Sequence, residues 1–217
     1  MTKAPLKDAD TYALCREFGV VPMVLNAVRQ VESAGRGFLP DGRPKILLEA
    51  HILWKRLGSR QIDPQELHEW DSTLCSPKWN REFYKGGKAE YVRVDRVILF
   101  ATQADAARTA SYRKAAWESC SWGLMQLMGF NYKNAGFENV DQLVTEMKIG
   151  EKEQMAAALR WMQSTGVLEI LKAVPPGGAE RPEVWRDFAR AYNGPGQVTL
   201  YADKLAAAAS AARLASA

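Results

Sequence analysis

Three glutamates stand in settings that suit acid–base chemistry. Glu32 follows the apolar residues Val24, Leu25, Val28 and Val31 and opens the string E-S-A-G. Glu49 is embedded in the apolar run I-L-L-E-A-H-I-L, and Glu90 closes G-G-K-A-E. An apolar setting raises a carboxyl pKa and keeps a proton on it near neutral pH. A second carboxylate that stays ionised can activate a water. Glu32 fits the acid and Glu49 the base, with Glu90 in reserve. Taken alone, each position has a plainer account. Glu32 is then an exposed glutamate at a helix end, and Glu49 a salt-bridge partner of Arg43. Asp41 reads as a turn residue.

These side chains need elements to hold them. Residues 8–18 read as a short helix, with Asp8 or Asp10 as N-cap. Residues 21–32 put Val21, Val24, Leu25, Val28 and Val31 on one helical face, with Pro22 in the first turn and Gly35 as the stop. Glu32 then sits on the last turn of an apolar helix. Pro40-Asp41-Gly42 is turn chemistry between the apolar runs 38–39 and 46–48, which predicts a small β-hairpin. Helix returns at 50–57, and residues 72–87 show no period. Further helices are expected at 92–109, 122–134, 140–148, 151–165 and 167–172. Pro175-Pro176-Gly177-Gly178 breaks the run, and helices at 182–192 and 199–215 complete it. The Ala-rich tail from Leu205 is expected to pack on the domain rather than disrupt a membrane. The pattern is mainly α, formally α+β, with one small β element.

Composition narrows the function. The chain has 217 residues, 47% hydrophobic and 25% charged, which excludes wholesale disorder and suits one domain with a real core. The net charge of +4 suits an anionic partner. The basic residues are dispersed and no nucleic-acid motif appears, so no nucleic-acid partner is expected. Cys15, Cys75, Cys120, His51 and His68 lack metal-site spacing, so no metal is expected. Free thiols are the expectation, with a disulfide between two of the three left open. His51 and His68 read as structural or solvated. Among seven Trp, Trp54, Trp117, Trp161 and Trp185 lie on helical patterns and read as core; Trp122 is the best candidate for a place beside a ligand. The N-terminus lacks an apolar stretch of signal-peptide type, and no apolar run approaches the roughly 20 residues of a membrane span.

Four strings, in order, carry a resemblance. They are V-E-S-A-G-R-G-F-L-P-D-G-R-P-K-I-L-L-E-A-H, Y-K-G-G-K-A-E-Y, S-C-S-W-G-L-M-Q-L-M-G-F-N and Y-N-G-P-G. Together they resemble the phage N-acetylmuramidase family of endolysins, within the lysozyme-like superfamily, over about residues 21–214. Cys120, Met125 and Leu127 depart from the usual pattern, without loss of a candidate acid. The resemblance implies a lysozyme-like helical domain with a small β-hairpin after the helix of Glu32. It implies a catalytic domain with no cofactor. The wider family often adds a wall-binding domain, but a length of 217 residues leaves no room for one, so a single domain over 1–217 with no separate wall-binding domain is expected. The implied activity is hydrolysis of the β-1,4 bond between N-acetylmuramic acid and N-acetylglucosamine in peptidoglycan. Glu32 would be the acid and Glu49 the base for water, with an inverting outcome. Inverting glycosidases hold their carboxyls roughly 6.5–9.5 Å apart, retaining ones roughly 5–5.5 Å.

The same resemblance places further residues at the glycan. Ser121, Met125 and Gln126 would lie along the cleft floor. Tyr192, beside Asn193, would bring its hydroxyl to Glu32. Tyr84, Gly87, Glu90 and Tyr91 would form a wall, with Trp122 near the substrate. The implied setting is the host cytoplasm until a holin allows release, then the periplasm and cell wall. The protein would act as a monomer, without stable membrane insertion. Competing readings are a lytic transglycosylase giving 1,6-anhydro ends, a chitinase-like enzyme, and a non-catalytic wall-binding module.

Overall fold

The computed structural model describes residues 5–33 and 36–214. The helix stop expected at Gly35 lies outside the described residues. Helix α1 (Asp8–Phe18) ends where Gly19 takes a left-handed conformation at φ 70°, and α2 (Pro22–Ser33) follows directly. Pro22 opens α2, since its missing N–H would have had no helical partner there. Val24, Leu25 and Val28 are buried on one face of α2 as their spacing predicts, with Val31 partly buried, whereas Val21, which precedes the helix, is exposed.

Strand β1 (Ile46–Leu48) leads into α3 (Ala50–Gly58), α4 (Pro64–Trp70) and α5 (Lys88–Ala104). After α6 (Thr109–Glu118) come strands β2 (Cys120–Trp122) and β3 (Leu127–Met128). Helices α7 (Val140–Met147), α8 (Glu151–Ser164), α9 (Val167–Lys172), α10 (Arg186–Asn193) and α11 (Val198–Leu214) complete the chain. This is a mainly helical α+β arrangement.

Three local expectations need correction. The turn at Pro40-Asp41-Gly42 forms, with Gly42 N–H donating to Leu39 C=O at 2.9 Å, but the hairpin stops at a single bridge between Phe38 and Pro44. The next rung is claimed elsewhere, since Gly37 N–H donates to Glu151 Oε1 at 2.6 Å and Lys45 C=O accepts the Gly123 N–H at 2.7 Å. Strand β1 pairs instead with β2, and β2 with β3, in an antiparallel sheet of order β1-β2-β3. The helix expected at 122–134 is a strand–turn–strand unit. Gly123 at φ 67° and Gln126 at φ 47° are left-handed, which no helix accommodates. The long helix expected at 92–109 ends at Ala104, where Asp105 accepts the Ala107 N–H and starts a new turn into α6.

Two cores result. One gathers α1, α2 and α8 to α11; the other gathers the sheet with α3 to α7. Trp161 of α8 touches both. Cys15, Cys75 and Cys120 are buried free thiols. No described helix is long and apolar enough to cross a membrane.

Candidate active site

The junction of the two cores holds a cleft of about 390 Å³. From the first core, α2 supplies Glu32, α8 supplies Trp161, and α10 supplies Tyr192 and Asn193. The sheet side supplies Leu47, Glu49, Ser121, Leu127 and Met128, and the β2–β3 turn supplies Met125 and Gln126. Asn131 completes the lining. Two larger depressions, of about 590 and 620 Å³, lie over α7 and over α9–α10. The carboxylates of the first, Asp141 and Glu146, face Arg113, Lys114 and Arg160 in surface ion pairs.

Strand alternation sets the sheet wall. Leu47, Ser121 and Met128 are opposite one another in register, and all three line the cleft. Their neighbours Ile46 and Trp122 must point to the other face. Trp122 is accordingly 2% exposed, in the core, with its indole N–H donating to Trp117 C=O at 3.0 Å. Its expected place near the substrate is therefore corrected. Ser121 Oγ donates to Gln126 Oε1 at 2.8 Å, and Gln126 Nε2 donates to Gly123 C=O at 2.8 Å. These bonds hold Gln126 in its left-handed conformation.

Glu32 lies against an aromatic column. Phe188 stacks on Tyr192 at 5.2 Å between ring centroids, and Tyr192 on Tyr201 at 6.3 Å. The column takes water away from the carboxyl, and burial pushes its pKa from 4.5 up to about 7. The Tyr201 hydroxyl donates to Glu32 Oε1 and opposes part of that rise. Burial and the nearby Glu32 hold the Tyr192 and Tyr201 hydroxyls well above the usual phenol range, so both stay protonated donors. The hydroxyl expected at Glu32 was that of Tyr192. It instead donates to Met125 C=O at 2.9 Å, and Tyr201, one turn into α11, takes the place at the acid. Tyr201 carried no motif signal, because an isolated Tyr at the head of an Ala-rich helix reads as packing.

Glu49 is the residue between β1 and α3. It does not pair with Arg43, which instead bonds Asp41 at 2.8 Å and lies over the Tyr91 ring. The Tyr84 hydroxyl donates to Glu49 Oε2, and His51 Nδ1 stands 3.4 Å from the same oxygen. Burial lowers the His51 pKa, which keeps this ring neutral near pH 7. Thus Tyr84 belongs to the site through Glu49.

Gly87, Glu90 and Tyr91 do not line the cleft. Glu90 is fully buried and paired with Arg93 at 2.7 Å. It also accepts the N–H groups of Leu48, Lys85 and Gly86 at 3.0, 2.7 and 3.0 Å. These partners hold its pKa low despite burial. No face of this carboxylate is left for a sugar. Its work is mechanical: with Arg93, which donates to Leu48 C=O and Thr73 C=O, it ties the end of β1 to the loop bearing Tyr84. Gly87 at φ 58° shapes the turn that delivers those N–H groups. Tyr91 donates its hydroxyl to Pro44 C=O at 2.9 Å and braces the turn after α2.

A family model described as N-acetylmuramidase matches residues 21–213, a span that includes every lining residue of the cleft. The chain belongs to the N-acetylmuramidase family. Its fold is similar to that in a crystal structure of Burkholderia AP3 phage endolysin, with a TM-score of 0.77 and 32% identity, over 98% of this chain and 72% of that one. No curated protein sequence matches the chain. This muramidase is a peptidoglycan hydrolase of the glycosidase type. Its cleft joins two carboxylates, each accepting a tyrosine hydroxyl, Tyr201 on Glu32 and Tyr84 on Glu49.

Proposed function

We propose that the protein hydrolyses the β-1,4 bond between N-acetylmuramic acid and N-acetylglucosamine. Glu32 protonates the leaving glycosidic oxygen, and Glu49 takes a proton from the attacking water. The observation that carries this is the Glu32 carboxyl, which retains a proton to about pH 7 on the wall of a cleft shared with Glu49. An acid with that pKa is matched to neutral pH. The Tyr84 hydroxyl donates to one oxygen of Glu49, with His51 Nδ1 3.4 Å from the same oxygen, which fixes the carboxyl in place on the cleft wall opposite Glu32. Ser121, Gln126 and Asn193 offer polar groups for the acetamido and hydroxyl groups of the sugars, and Trp161 and Tyr192 offer ring faces. Within the chain, residues 1–217 act as one catalytic domain, as a monomer.

Digestion of purified sacculi tests the assignment. The wild type should release muropeptides with ordinary reducing ends, read by mass spectrometry. Glu32→Gln should lose activity by about 10³-fold or more, as for loss of an essential acid. Undiminished activity in that variant would refute Glu32 as the acid. Mainly 1,6-anhydro ends, each lighter by one water, would show internal attack by the muramyl hydroxyl and reject hydrolysis.

A further inference from the structure

Trp79 is the most exposed tryptophan in the described chain, at 58%. Its ring packs at 6.2 Å on Tyr84, the residue whose hydroxyl holds Glu49. The indole therefore offers an open aromatic face beside the group that holds Glu49, of the kind on which a sugar ring can stack. The loop is nonetheless fixed. Asn80 caps a short helical turn over Arg81–Phe83, and the buried Glu90–Arg93 pair clamps the chain on either side, at Thr73 C=O and at the Lys85 and Gly86 N–H groups. The platform is therefore held in place before any ligand arrives.

The surroundings of Trp79 carry charge. Lys78 and Arg81 flank it in sequence and are exposed, and Glu82 is the nearby acid. A glycan strand is longer than a cleft of about 390 Å³, so the polymer must continue past the carboxylates. On the Glu49 side, Tyr84 bonds the carboxylate and Trp79 packs on Tyr84, outside the cleft lining. We propose that Trp79, with Lys78 and Arg81, forms an outlying subsite for a peptide-bearing sugar of the strand, the ring stacking on the indole and the carboxylates of the attached peptide meeting the two cations. The subsite rests on the glycan-cleaving activity proposed above and extends it to a preference for anionic, peptide-substituted strands over neutral ones.

Binding in the Glu32→Gln background removes turnover from the measurement. The probes are a peptide-bearing tetrasaccharide from sacculi and chitohexaose, a neutral polymer of N-acetylglucosamine. Trp79→Ala should weaken both by about tenfold, and Trp79→Phe should recover most of the loss. Lys78→Glu with Arg81→Glu should weaken the peptide-bearing probe several-fold, more at low salt, and leave chitohexaose unchanged. In the wild-type background, Trp79→Ala should raise KM about tenfold with kcat within about twofold. Unchanged affinity in Trp79→Ala, or in the charge-reversed variant with the peptide-bearing probe, would overturn the subsite. A wild type that binds through Trp79 but releases no muropeptides would sink the glycosidase proposal and leave the subsite standing.

Discussion

Replacing Tyr201 by Phe should move the pH dependence of activity in a direction that separates two accounts of the hydroxyl. Tyr201 donates to Glu32 Oε1, and that bond favours the ionised carboxylate. Burial acts the other way, and the balance places the pKa at about 7. Phe keeps the ring, and with it the burial and the stack on Tyr192, but removes the donor. A hydrogen bond to a charged group is worth about 1.5–3 kcal/mol. At about 1.4 kcal/mol per tenfold change in the protonation ratio, its loss should raise the Glu32 pKa by about one to two pH units. The acid is active when protonated, so activity falls on the alkaline side as Glu32 ionises. That limb should move from near pH 7 to above pH 8.

The assay is clearance of purified sacculi from pH 5 to 9 at constant ionic strength. Relative to its own optimum, Tyr201→Phe should retain several-fold more activity at pH 8.5 than the wild type. Its optimum rate should be lower, since the acid has lost the group that orients it. Tyr192→Phe is the control, because that hydroxyl bonds Met125 C=O and not Glu32. An alkaline limb that stays in place in Tyr201→Phe, or moves to lower pH, would refute the assignment of this limb to Glu32 under Tyr201 control.

Other outcomes follow from the same geometry. Glu32 has a raised folded-state pKa, so the stability it lends is full below about pH 4.5 and is lost as pH rises through about 7. Glu32→Gln should therefore be more stable than the wild type at pH 9 by up to about 3 kcal/mol, and near parity at pH 4.5, by urea unfolding. Glu49→Gln should lower kcat by about 10²–10⁴-fold with little change in KM for sacculi, whereas a value within twofold of wild type would reduce Glu49 to a bystander. Tyr84→Phe should reproduce part of that loss, about tenfold, because Glu49 loses the hydroxyl that fixes its position. Glu90→Ala leaves Arg93 buried and unpaired, and should cost about 3–5 kcal/mol in a denaturation midpoint measurement.

Much of the site was legible because its motifs carry chemistry in short strings. Glu32 at the end of an apolar helix, Glu49 in an apolar run, and Ser121, Met125, Gln126, Tyr192 and Asn193 all converge on one cleft. The misplaced residues share a cause, which is that spacing does not reveal pairing. Trp122 looked like a ligand-facing aromatic until its register with Ile46 turned it to the core. Glu90 reads as a spare carboxylate, but Arg93 and the Lys85 and Gly86 N–H groups, all within five residues, claim it together with the Leu48 N–H from 42 positions away, and that closure by β1 is what the sequence does not display. His51 carries no partner signal in the sequence, because only the turn from β1 into α3 sets its Nδ1 3.4 Å from Glu49, two residues before it. Trp161 was counted as core on periodicity, and it does touch both cores, yet one edge opens to the cleft. The 122–134 helix failed because Gly123 and the left-handed Gln126 outweigh an apolar pattern that suits either a helix or short buried strands.

The Ala-rich tail changes meaning most. As composition it says only that a helix is favourable. In the fold, Ala202, Leu205, Ala206 and Ala209 are buried, and α11 packs along α2 more extensively than any other helix pair does. Small side chains let two helix axes come close. That closeness lets a tyrosine on α11 reach a carboxyl on α2 across 169 positions of sequence. A larger residue at Ala202, next to Tyr201, would push the helices apart and withdraw the hydroxyl before it disturbed the fold as a whole. Ala202→Leu should therefore resemble Tyr201→Phe in its alkaline limb while losing about 1–3 kcal/mol of stability, a combination that Tyr201→Phe itself should not show. If Ala202→Leu lost stability but kept the wild-type limb, the packing of α11 would be structural support alone, and the position of Tyr201 would have to be secured by the Tyr192 stack instead.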